Sequence, residues 1–469
     1  MYRDGVIALR RQWQLVVAGV VIVGGCWALT TWFSVPVSLA VASLVVAILT
    51  LLVTAASFGL AWLQRREVDG DRVTRDLARA VRVERQRFLD QALAVAWQAR
   101  PAKVVFHDPD GDLPEPVETL LLQWQDPTTG EVGSIEDAAA FYNGLPSGRL
   151  VVLGAPGAGK TVLLSRLVLD LLDRNEAGDR ETDGQRSGVP VLLSLPSCDL
   201  GDTHDTSDDQ LAARLQTWIV RRLVEDYGLR PSQAAKLVQD RRILPVLDGL
   251  DEMDSTPPTP TTETAAMSRP RARAVVRAMN AAGRPAVVLA CRHQDYREIN
   301  QPTTEQPGDV AVLTDARHVM LRPLDADAVI GYLTDRFHGR DQQLRPRWRP
   351  IADALTSGAP LARILANPWQ LYLAVTAYTP ENSDPADLLD LSPDDVESHL
   401  LTALIPAVVD HDATATGHGW TADRVTHWLT TIAEHQAHVA TEHGSSPTDI
   451  HLPDLWRIAG RRHPQCHFF

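Results

Sequence analysis

Hydrophobic residues are spaced differently in three parts of this chain. Residues 12–64 are predominantly apolar and contain no charged residue and no histidine. Between residues 147 and 322, short apolar runs alternate with stretches of helical spacing, which is typical of a parallel β-sheet covered by helices on both faces. From residue 323 onward the spacing is helical. The pattern predicts an α/β fold followed by an all-α region, with an apolar segment in front of both.

The α/β part should contain five strands and three helices. Its strand candidates are short apolar runs, whereas its helix candidates repeat apolar residues every three or four positions. The strands are Leu150–Leu153, Pro190–Leu195, Ile243–Leu247, Ala286–Ala290 and Val319–Leu321, and the helices are Thr161–Leu172, Leu211–Tyr227 and Arg271–Ala282. Later helices are expected at Asp325–Phe337, Arg363–Ala377, Val396–Val409, Ala422–His435 and Leu452–Arg461.

The apolar N-terminal segment is long enough for two membrane-spanning helices. About 20 residues cross a bilayer, and residues 13–32 and 37–63 each reach that length on either side of a turn at 34–36. We expect residues 1–66 to form a hairpin in the cell membrane. A cleaved signal peptide is the alternative, disfavoured because a second apolar stretch follows the first at once. Paired arginines flank the hairpin and place both of its ends in the cytoplasm: Arg10, Arg11, Arg65 and Arg66.

The residues between this hairpin and the α/β part are expected to form a helix and then a connector. Residues 69–98 carry apolar residues at helical spacing and many arginines. Residues 101–146 are punctuated by proline and glycine, with room for a short strand or two. A second irregular stretch, residues 254–270, is rich in proline and threonine and is predicted to be a mobile loop.

The charge and cysteine content argue against nucleic-acid binding, a disulfide framework and a zinc site. The formal net charge is −14, from 59 acidic and 45 basic residues, which argues against a nucleic-acid partner. The four cysteines are scattered along the chain and suggest neither a disulfide framework nor a zinc site.

The first candidate functional site is the sequence GAPGAGKT, residues 154–161. It fits the phosphate-binding pattern GxxxxGK[ST] and lies between a predicted strand and a predicted helix. Glycines there let backbone N–H groups converge on phosphate oxygens at a helix N-terminus. Lys160 is expected to reach the β- and γ-phosphates, and the Thr161 hydroxyl to bind Mg²⁺. The predicted nucleotide-binding residues are Gly154, Ala155, Pro156, Gly157, Ala158, Gly159, Lys160 and Thr161.

A second, acidic element follows the strand candidate Ile243–Leu247. Asp248 at the strand end is expected to hold Mg²⁺ through its water shell. Asp251 and Glu252 lie one short turn further on, where a carboxylate can orient or deprotonate the attacking water. We expect Glu252 to be the base because its longer side chain reaches past the metal, with Asp251 as the alternative. A capped acidic turn without a catalytic role is the competing interpretation.

Arg292 lies at the carboxyl end of the next predicted strand. In a parallel sheet this position points toward the γ-phosphate, so the arginine can report whether that phosphate is present. A structural salt bridge is the competing interpretation. ATP is expected rather than GTP, because the guanine-binding pattern NKxD does not occur in the chain.

Together these motifs resemble the NACHT family of STAND NTPases, over about residues 147–373. The resemblance is carried by GAPGAGKT, LPVLDGLDE, CRHQDY and the later LANPWQL. It implies an ATP/ADP switch with Mg²⁺, in which ADP holds a closed state and exchange for ATP opens it and drives homo-oligomerisation. It also implies that Pro368 lies near the nucleotide, although an Asn cap followed by proline at the first helical position fits the same residues.

The form with a membrane hairpin is similar to actinobacterial members of that family. The expected fold is an α/β P-loop NTPase with a parallel sheet covered by helices, then an all-α region, preceded by the hairpin. The chain shows no C-terminal sensor repeats, which suggests either that it is truncated within a winged-helix-like segment or that its N-terminal membrane half does the sensing. The expected divisions are a hairpin, a juxtamembrane helix with connector, a NACHT core, a helical domain and the winged-helix-like segment: 1–66, 67–146, 147–322, 323–393 and 394–469.

The resulting hypothesis is a membrane-anchored ATP switch with slow hydrolysis and an unknown protein or ligand trigger, with a role in bacterial defence or regulation implied by the resemblance alone. A mechanical AAA+-like membrane ATPase is one alternative, although no arginine finger can be assigned. A nucleotide-binding scaffold without turnover is another, against which the intact acidic residues argue.

Overall fold

The computed structural model describes residues 70–89, 105–107, 133–177, 188–201, 203, 206–254, 269–281, 283–301, 311–337, 344–379, 383–416 and 420–443. The chain divides into two units, residues 1–75 and 76–469, and the described part of the first unit is residues 70–75, which are helical. Among the described helices, none combines the length and the apolar character needed to cross a bilayer. Three predicted segments lie outside the described residues: the hairpin at 1–66, most of the loop at 254–270 and the helix Leu452–Arg461.

The α/β part is built on one sheet, whose strands in the described residues are β1 (Val105–His107), β2 (Gly133–Ser134), β3 (Arg149–Gly154), β4 (Val189–Ser194), β5 (Ile243–Asp248), β6 (Val287–Arg292) and β7 (Arg317–Leu321). Five of these strands are parallel, in the order β7-β3-β6-β5-β4. Beyond β7 the sheet is extended by β1 and then β2, each antiparallel to its neighbour.

All five strands predicted from the apolar runs are confirmed, with small differences at their ends. The physical reason is burial on both faces: every residue of β3 is buried, and β6 is buried up to Arg292 at its end. Strands covered by helices on both sides need continuous apolar residues. Pairing in register brings Gly154 opposite Arg292, and Asp248 ends the adjacent strand β5. The carboxyl ends of β3, β5 and β6 therefore meet at one edge of the sheet.

Helices surround the sheet and then continue alone after β7. Within the described residues they are α1 (residues 70–89), α2 (Ala138–Asn143), α3 (Lys160–Ala177), α4 (Asp208–Tyr227), α5 (Pro231–Gln239), α6 (Pro270–Ala281), α7 (His293–Asn300), α8 (Ala326–Arg336), α9 (Arg349–Thr356), α10 (Pro360–Leu365), α11 (Pro368–Ala377), α12 (Pro393–Thr416) and α13 (Ala422–His443). The three helices predicted between strands are confirmed as α3, α4 and α6. The unpredicted α2, α5, α7 and α9 have six to nine residues, too few turns for helical periodicity to be visible.

The helix predicted over residues 69–98 is confirmed for residues 70–89. Leu77 and Val81 on this helix are buried. Arg82 forms ion pairs with Asp173 and with Glu176 of α3, the latter at 3.1 Å. One of the arginines of this segment therefore attaches α1 to the α/β part.

The prediction of a single helix over Arg363–Ala377 is wrong. The structure has two helices there, α10 and α11, which are separated at Ala366 and Asn367. Pro368 lacks a backbone N–H and disfavours a helical backbone at the residue before it. Asn367 is accordingly extended, with φ −83° and ψ 122°, and its side chain caps α11 by accepting the N–H of Trp369. The break gives α11 an N-terminus of its own, separate from α10.

The helices after β7 have an apolar core of their own, which confirms an all-α region for the described residues. Trp348 is fully buried and stacks on Phe337 with 4.6 Å between ring centroids. Tyr378 meets the same indole edge-on at 6.4 Å. The N–H of Leu324 donates to the carbonyl of Ala366 over 2.7 Å, which joins the residues before α8 to the residues before α11. This hydrogen bond holds the start of α11 next to the start of α8.

Candidate nucleotide-binding site

The predicted phosphate loop joins the end of β3 to the start of α3, as its motif requires. Gly157 and Gly159 have φ angles of 71° and 91°, a region that residues with a Cβ rarely adopt. Residues 155–157 are exposed, whereas Ala158 is buried. The loop is therefore accessible at the carboxyl edge of the sheet, next to the N-terminus of α3. That combination is suited to binding phosphate.

The ammonium group of Lys160 lies over the loop. Its Nζ donates hydrogen bonds to the carbonyl oxygens of Gly154 at 3.2 Å and Ala155 at 3.1 Å. Neutral carbonyls are weaker partners for an ammonium than phosphate oxygens are. A phosphate group can therefore replace them, as the prediction for this lysine requires.

The two predicted magnesium ligands are in direct contact. The Thr161 hydroxyl, at the start of α3, donates to Asp248 Oδ2 at the end of β5 over 2.6 Å. Burial raises the pKa of the Asp248 carboxyl, while the Thr161 hydrogen bond and the Lys160 charge lower it. A divalent cation at this position would strongly favour the carboxylate form.

The donor set around this pair is of the kind that Mg²⁺ uses with nucleotides. No group of three or more His, Cys, Asp or Glu side chains able to hold a metal ion occurs in the part of the chain that the structure describes. Mg²⁺ is commonly held by one or two protein oxygens and takes its remaining ligands from phosphates and water. The Thr161 hydroxyl and the Asp248 carboxylate are both hard oxygen donors, so they fit this ion.

Asp251 and Arg292 form an ion pair beside the phosphate loop. Asp251 Oδ2 lies 2.8 Å from Arg292 Nε, and its Oδ1 accepts the backbone N–H of Arg292 at 3.1 Å. The Asp251 side chain is 4 % exposed and that of Arg292 is 44 % exposed. This contact is the structural salt bridge that was the competing interpretation of Arg292. Because its carboxylate is buried and paired, Asp251 is poorly placed to accept a proton from water. Contact of Arg292 with a γ-phosphate stays a prediction.

Glu252 differs from its neighbour Asp251 in both exposure and partners. It lies in the short 3₁₀ turn Leu250–Glu252 and is half-buried. Within the described residues, no hydrogen bond or ion pair engages its carboxylate. Burial raises its pKa, as do the charges of Asp251 and Asp248, and Arg292 opposes this. A carboxylate with a raised pKa and no fixed partner is suited to act as a general base.

The N-terminus of α11 lies directly against the phosphate loop. The Asn367 side chain donates through Nδ2 to the carbonyl of Pro156 at 2.8 Å, and the N–H of Trp369 donates to the carbonyl of Gly157 at 3.2 Å. Pro368, which was predicted to lie near the nucleotide, is between these two residues and is half-buried.

The family resemblance pointed to Pro368, and sequence reasoning did not single out the two neighbouring residues that touch the loop. The available signal was the Asn-Pro pair, which indicates a helix start. Nothing local in the sequence indicates what that start would contact, because the loop and Asn367 are 211 residues apart.

Comparisons with known proteins bear on this site. None of the curated proteins compared with the chain matches it. Among solved structures, a Walker-type ATPase of Pyrococcus abyssi is similar at 11% sequence identity and a TM-score of 0.28, with 69% of this chain and 86% of that chain covered. Residues 149–340, which include the phosphate loop, the acidic turn and Arg292, match the family model of the NACHT domain. This match supports a nucleotide-binding P-loop NTPase domain in that part of the chain.

Proposed function

We propose that this chain is a signal-transduction switch of the NACHT/STAND type that binds ATP with Mg²⁺ and hydrolyses it slowly to ADP. The observation that supports it best is the convergence of three groups at one sheet edge. Lys160 lies over an accessible phosphate loop, the Thr161–Asp248 pair offers oxygens to a cation, and Glu252 keeps a carboxylate available among the described residues.

Each group has one task in this proposal. The loop and Lys160 bind the phosphates, and the ammonium neutralises part of their charge. Thr161 and Asp248 hold Mg²⁺, which would supply further charge neutralisation when bound. Glu252 orients a water molecule and accepts its proton as that water attacks the γ-phosphate. Arg292 would sense the γ-phosphate by exchanging Asp251 for it.

The switch part of the proposal is supported by the contact between α11 and the loop. Asn367 and Trp369 bond to the loop carbonyls, so a change in the loop on nucleotide exchange is transmitted to the all-α region. Opening of this contact with ATP would expose surfaces for homo-oligomerisation. The trigger would be a protein or ligand acting on that equilibrium.

The membrane part of the proposal is supported by sequence. Residues 12–64 have no charged residue, and arginines flank them on both sides. Such a segment would anchor the chain by a two-span hairpin with the NTPase in the cytoplasm. Reporter fusions at residue 5 and residue 100 should both report a cytoplasmic position, and an exterior signal from either fusion contradicts the hairpin.

The nucleotide site is tested by comparing two lysines. Lys160→Ala should lower the affinity for ATP and ADP at least tenfold, or about 1.4 kcal/mol, measured by calorimetry with the full chain. Lys236→Ala is the matched control, since Lys236 lies on α5 and forms a surface ion pair with Asp240, the residue that follows this helix. Unchanged affinity in Lys160→Ala would remove the basis of the proposal.

Single-turnover and steady-state measurements of ATP hydrolysis separate the candidate functions. A switch hydrolyses ATP slowly and retains the nucleotide, a mechanical ATPase turns over continuously, and a scaffold does not hydrolyse ATP.

A further inference from the structure

Arg269 connects two parts of the nucleotide site that follow different strands. Its guanidinium forms ion pairs with Asp295 and with Glu298 of α7, the latter at 2.8 Å through Nε. The same group donates through Nη1 to the backbone carbonyl of Asp251 at 3.3 Å. The Arg269 side chain is 16 % exposed. One largely buried cation therefore joins the acidic turn after β5 to the helix after β6.

A second arginine closes this connection into a ring. Asp251, held by Arg269 through its carbonyl, holds Arg292 through its carboxylate at 2.8 Å. Arg292 is the N-cap residue of α7, the helix that carries Asp295 and Glu298. The acidic turn is thus fixed on both sides, through its main chain by Arg269 and through its side chain by Arg292.

Two features of this ring point to a role beyond stability. Ion pairs of this kind add little net stability, because desolvation of the buried charges and solvent screening of the exposed ones offset their attraction. The Arg269 backbone also adopts a φ of 39°, a left-handed conformation that carries strain for a residue with a Cβ. What the ring does provide is a fixed position for Asp251, and the next residue along the chain is Glu252.

We propose that Arg269 is a positioning residue of the nucleotide site, which holds the Asp251 carbonyl and thereby directs the Glu252 carboxylate toward the attacking water. This inference rests on the proposed function. No hydrogen bond or ion pair joins Arg269 to the phosphate loop in the described structure. Its loss should therefore slow hydrolysis without weakening nucleotide binding.

The test compares Arg269→Lys and Arg269→Gln in the full chain. Lysine keeps the charge but cannot direct three hydrogen bonds in a plane, so this variant remains informative if Arg269→Gln fails to fold. Arg284→Gln is the matched control, because Arg284 also has a left-handed backbone, with φ 49°, and an ion pair, to Asp315 at 2.6 Å. We expect single-turnover ATP hydrolysis to fall at least tenfold in both Arg269 variants. The Kd for ATP should stay within about twofold, and the control should change neither quantity.

A double-mutant cycle with Glu252→Gln separates positioning from a structural role. If Arg269 acts through Glu252, adding Arg269→Lys to Glu252→Gln should slow hydrolysis no further. Additive losses, weakened ATP binding or an unchanged rate in Arg269→Lys would each overturn the inference. If Glu252→Gln alone leaves hydrolysis unchanged, or Lys160→Ala leaves binding unchanged, the proposed function itself fails.

Discussion

The side-chain amide of Asn367 donates a hydrogen bond of 2.8 Å to the backbone carbonyl of Pro156, so the first turn of α11 is attached to the phosphate loop. The same asparagine caps α11 through its other amide atom, which accepts the N–H of Trp369 at 2.9 Å. One side chain therefore begins a helix of the all-α region and bonds to the loop that is proposed to bind nucleotide. This double role can be separated by mutation.

Asn367→Asp should accelerate ADP release while retaining the cap. A carboxylate still accepts the Trp369 N–H, but it cannot donate to Pro156, so the loop loses one of its two hydrogen bonds to the start of α11. Asn367→Ala should accelerate release similarly and also lose about 1 kcal/mol of stability with the cap. Both effects are measured by stopped-flow release of a fluorescent ADP and by chemical denaturation.

The matched control for these variants is Asp325→Ala. Asp325 caps α8 by accepting the N–H of Ala328 at 2.6 Å, and no contact joins it to the loop in the described structure. It should lose stability without a change in ADP release. Equal release rates in wild type and both Asn367 variants would contradict a link between the loop and α11.

Gly157→Ala should disrupt nucleotide binding more than its backbone conformation alone would require. An added Cβ would lie 2.7 Å from Trp369 Cβ and 2.8 Å from Asn367 Oδ1, so α11 must move. The φ of 71° adds strain of about 1 kcal/mol. We expect ATP and ADP affinity to fall at least tenfold by calorimetry.

Gly358→Ala isolates the backbone contribution. Its φ is 72°, and an added Cβ meets nothing within 4 Å. It should lower the free energy of unfolding by about 1 kcal/mol and leave nucleotide affinity unchanged. If Gly157→Ala behaves in the same way, the close approach of α11 has no consequence for the site.

Glu252→Gln should still bind ATP with Mg²⁺ but hydrolyse it about 100-fold more slowly, since the amide keeps the shape of the side chain and cannot accept a proton. Single-turnover hydrolysis and calorimetry measure the two quantities. Asp251→Asn is the neighbouring comparison: it loses the ion pair with Arg292, so it should reduce stability and slow hydrolysis less than Glu252→Gln does. Loss of binding in Glu252→Gln would instead indicate a metal or structural role.

The pH dependence of hydrolysis provides an independent check on Glu252. A general base must be deprotonated, so the rate falls as pH drops through its pKa. Burial and the charges of Asp251 and Asp248 raise that pKa above the ordinary value of 4.5, against the opposing effects of Arg292 and Lys160. The acid limb of the single-turnover rate should therefore lie above pH 4.5 and disappear in Glu252→Gln.

Acid should destabilise the fold through His318. Burial lowers its pKa from 6.5 to about 4, next to the Tyr296 hydroxyl, which lies 3.3 Å from Nε2. Between pH 6.5 and 4 the unfolded chain binds a proton that the folded chain does not, so stability is lost as pH falls, by up to about 3 kcal/mol. Denaturation of wild type and His318→Asn across this range should show the slope in wild type and its loss in the variant. The exposed His427→Asn should retain it.

The sequence alone was sufficient for the parallel strands and for the phosphate loop. Strands buried on both faces need unbroken apolar runs, so β3 and β6 are visible without any tertiary information. The motif from Gly154 to Thr161 has fixed internal spacing, and its chemistry depends on neighbours along the chain. The predicted contact of Thr161 and Asp248 with one cation is consistent with the 2.6 Å between their oxygens, because parallel strands bring their carboxyl ends together.

Tertiary structure decided what the acidic turn and the all-α region do at this site. Asp251 and Glu252 are adjacent and chemically alike, but the Asp251 carboxylate is engaged by Arg292, which approaches from another strand. The same holds for Asn367: its sequence predicts a helix cap, but its bond to Pro156 spans 211 residues and depends on how two regions pack. Local patterns determine which elements form, because they depend on backbone preferences and burial. Which side chains are left available for chemistry depends on contacts between residues distant in sequence.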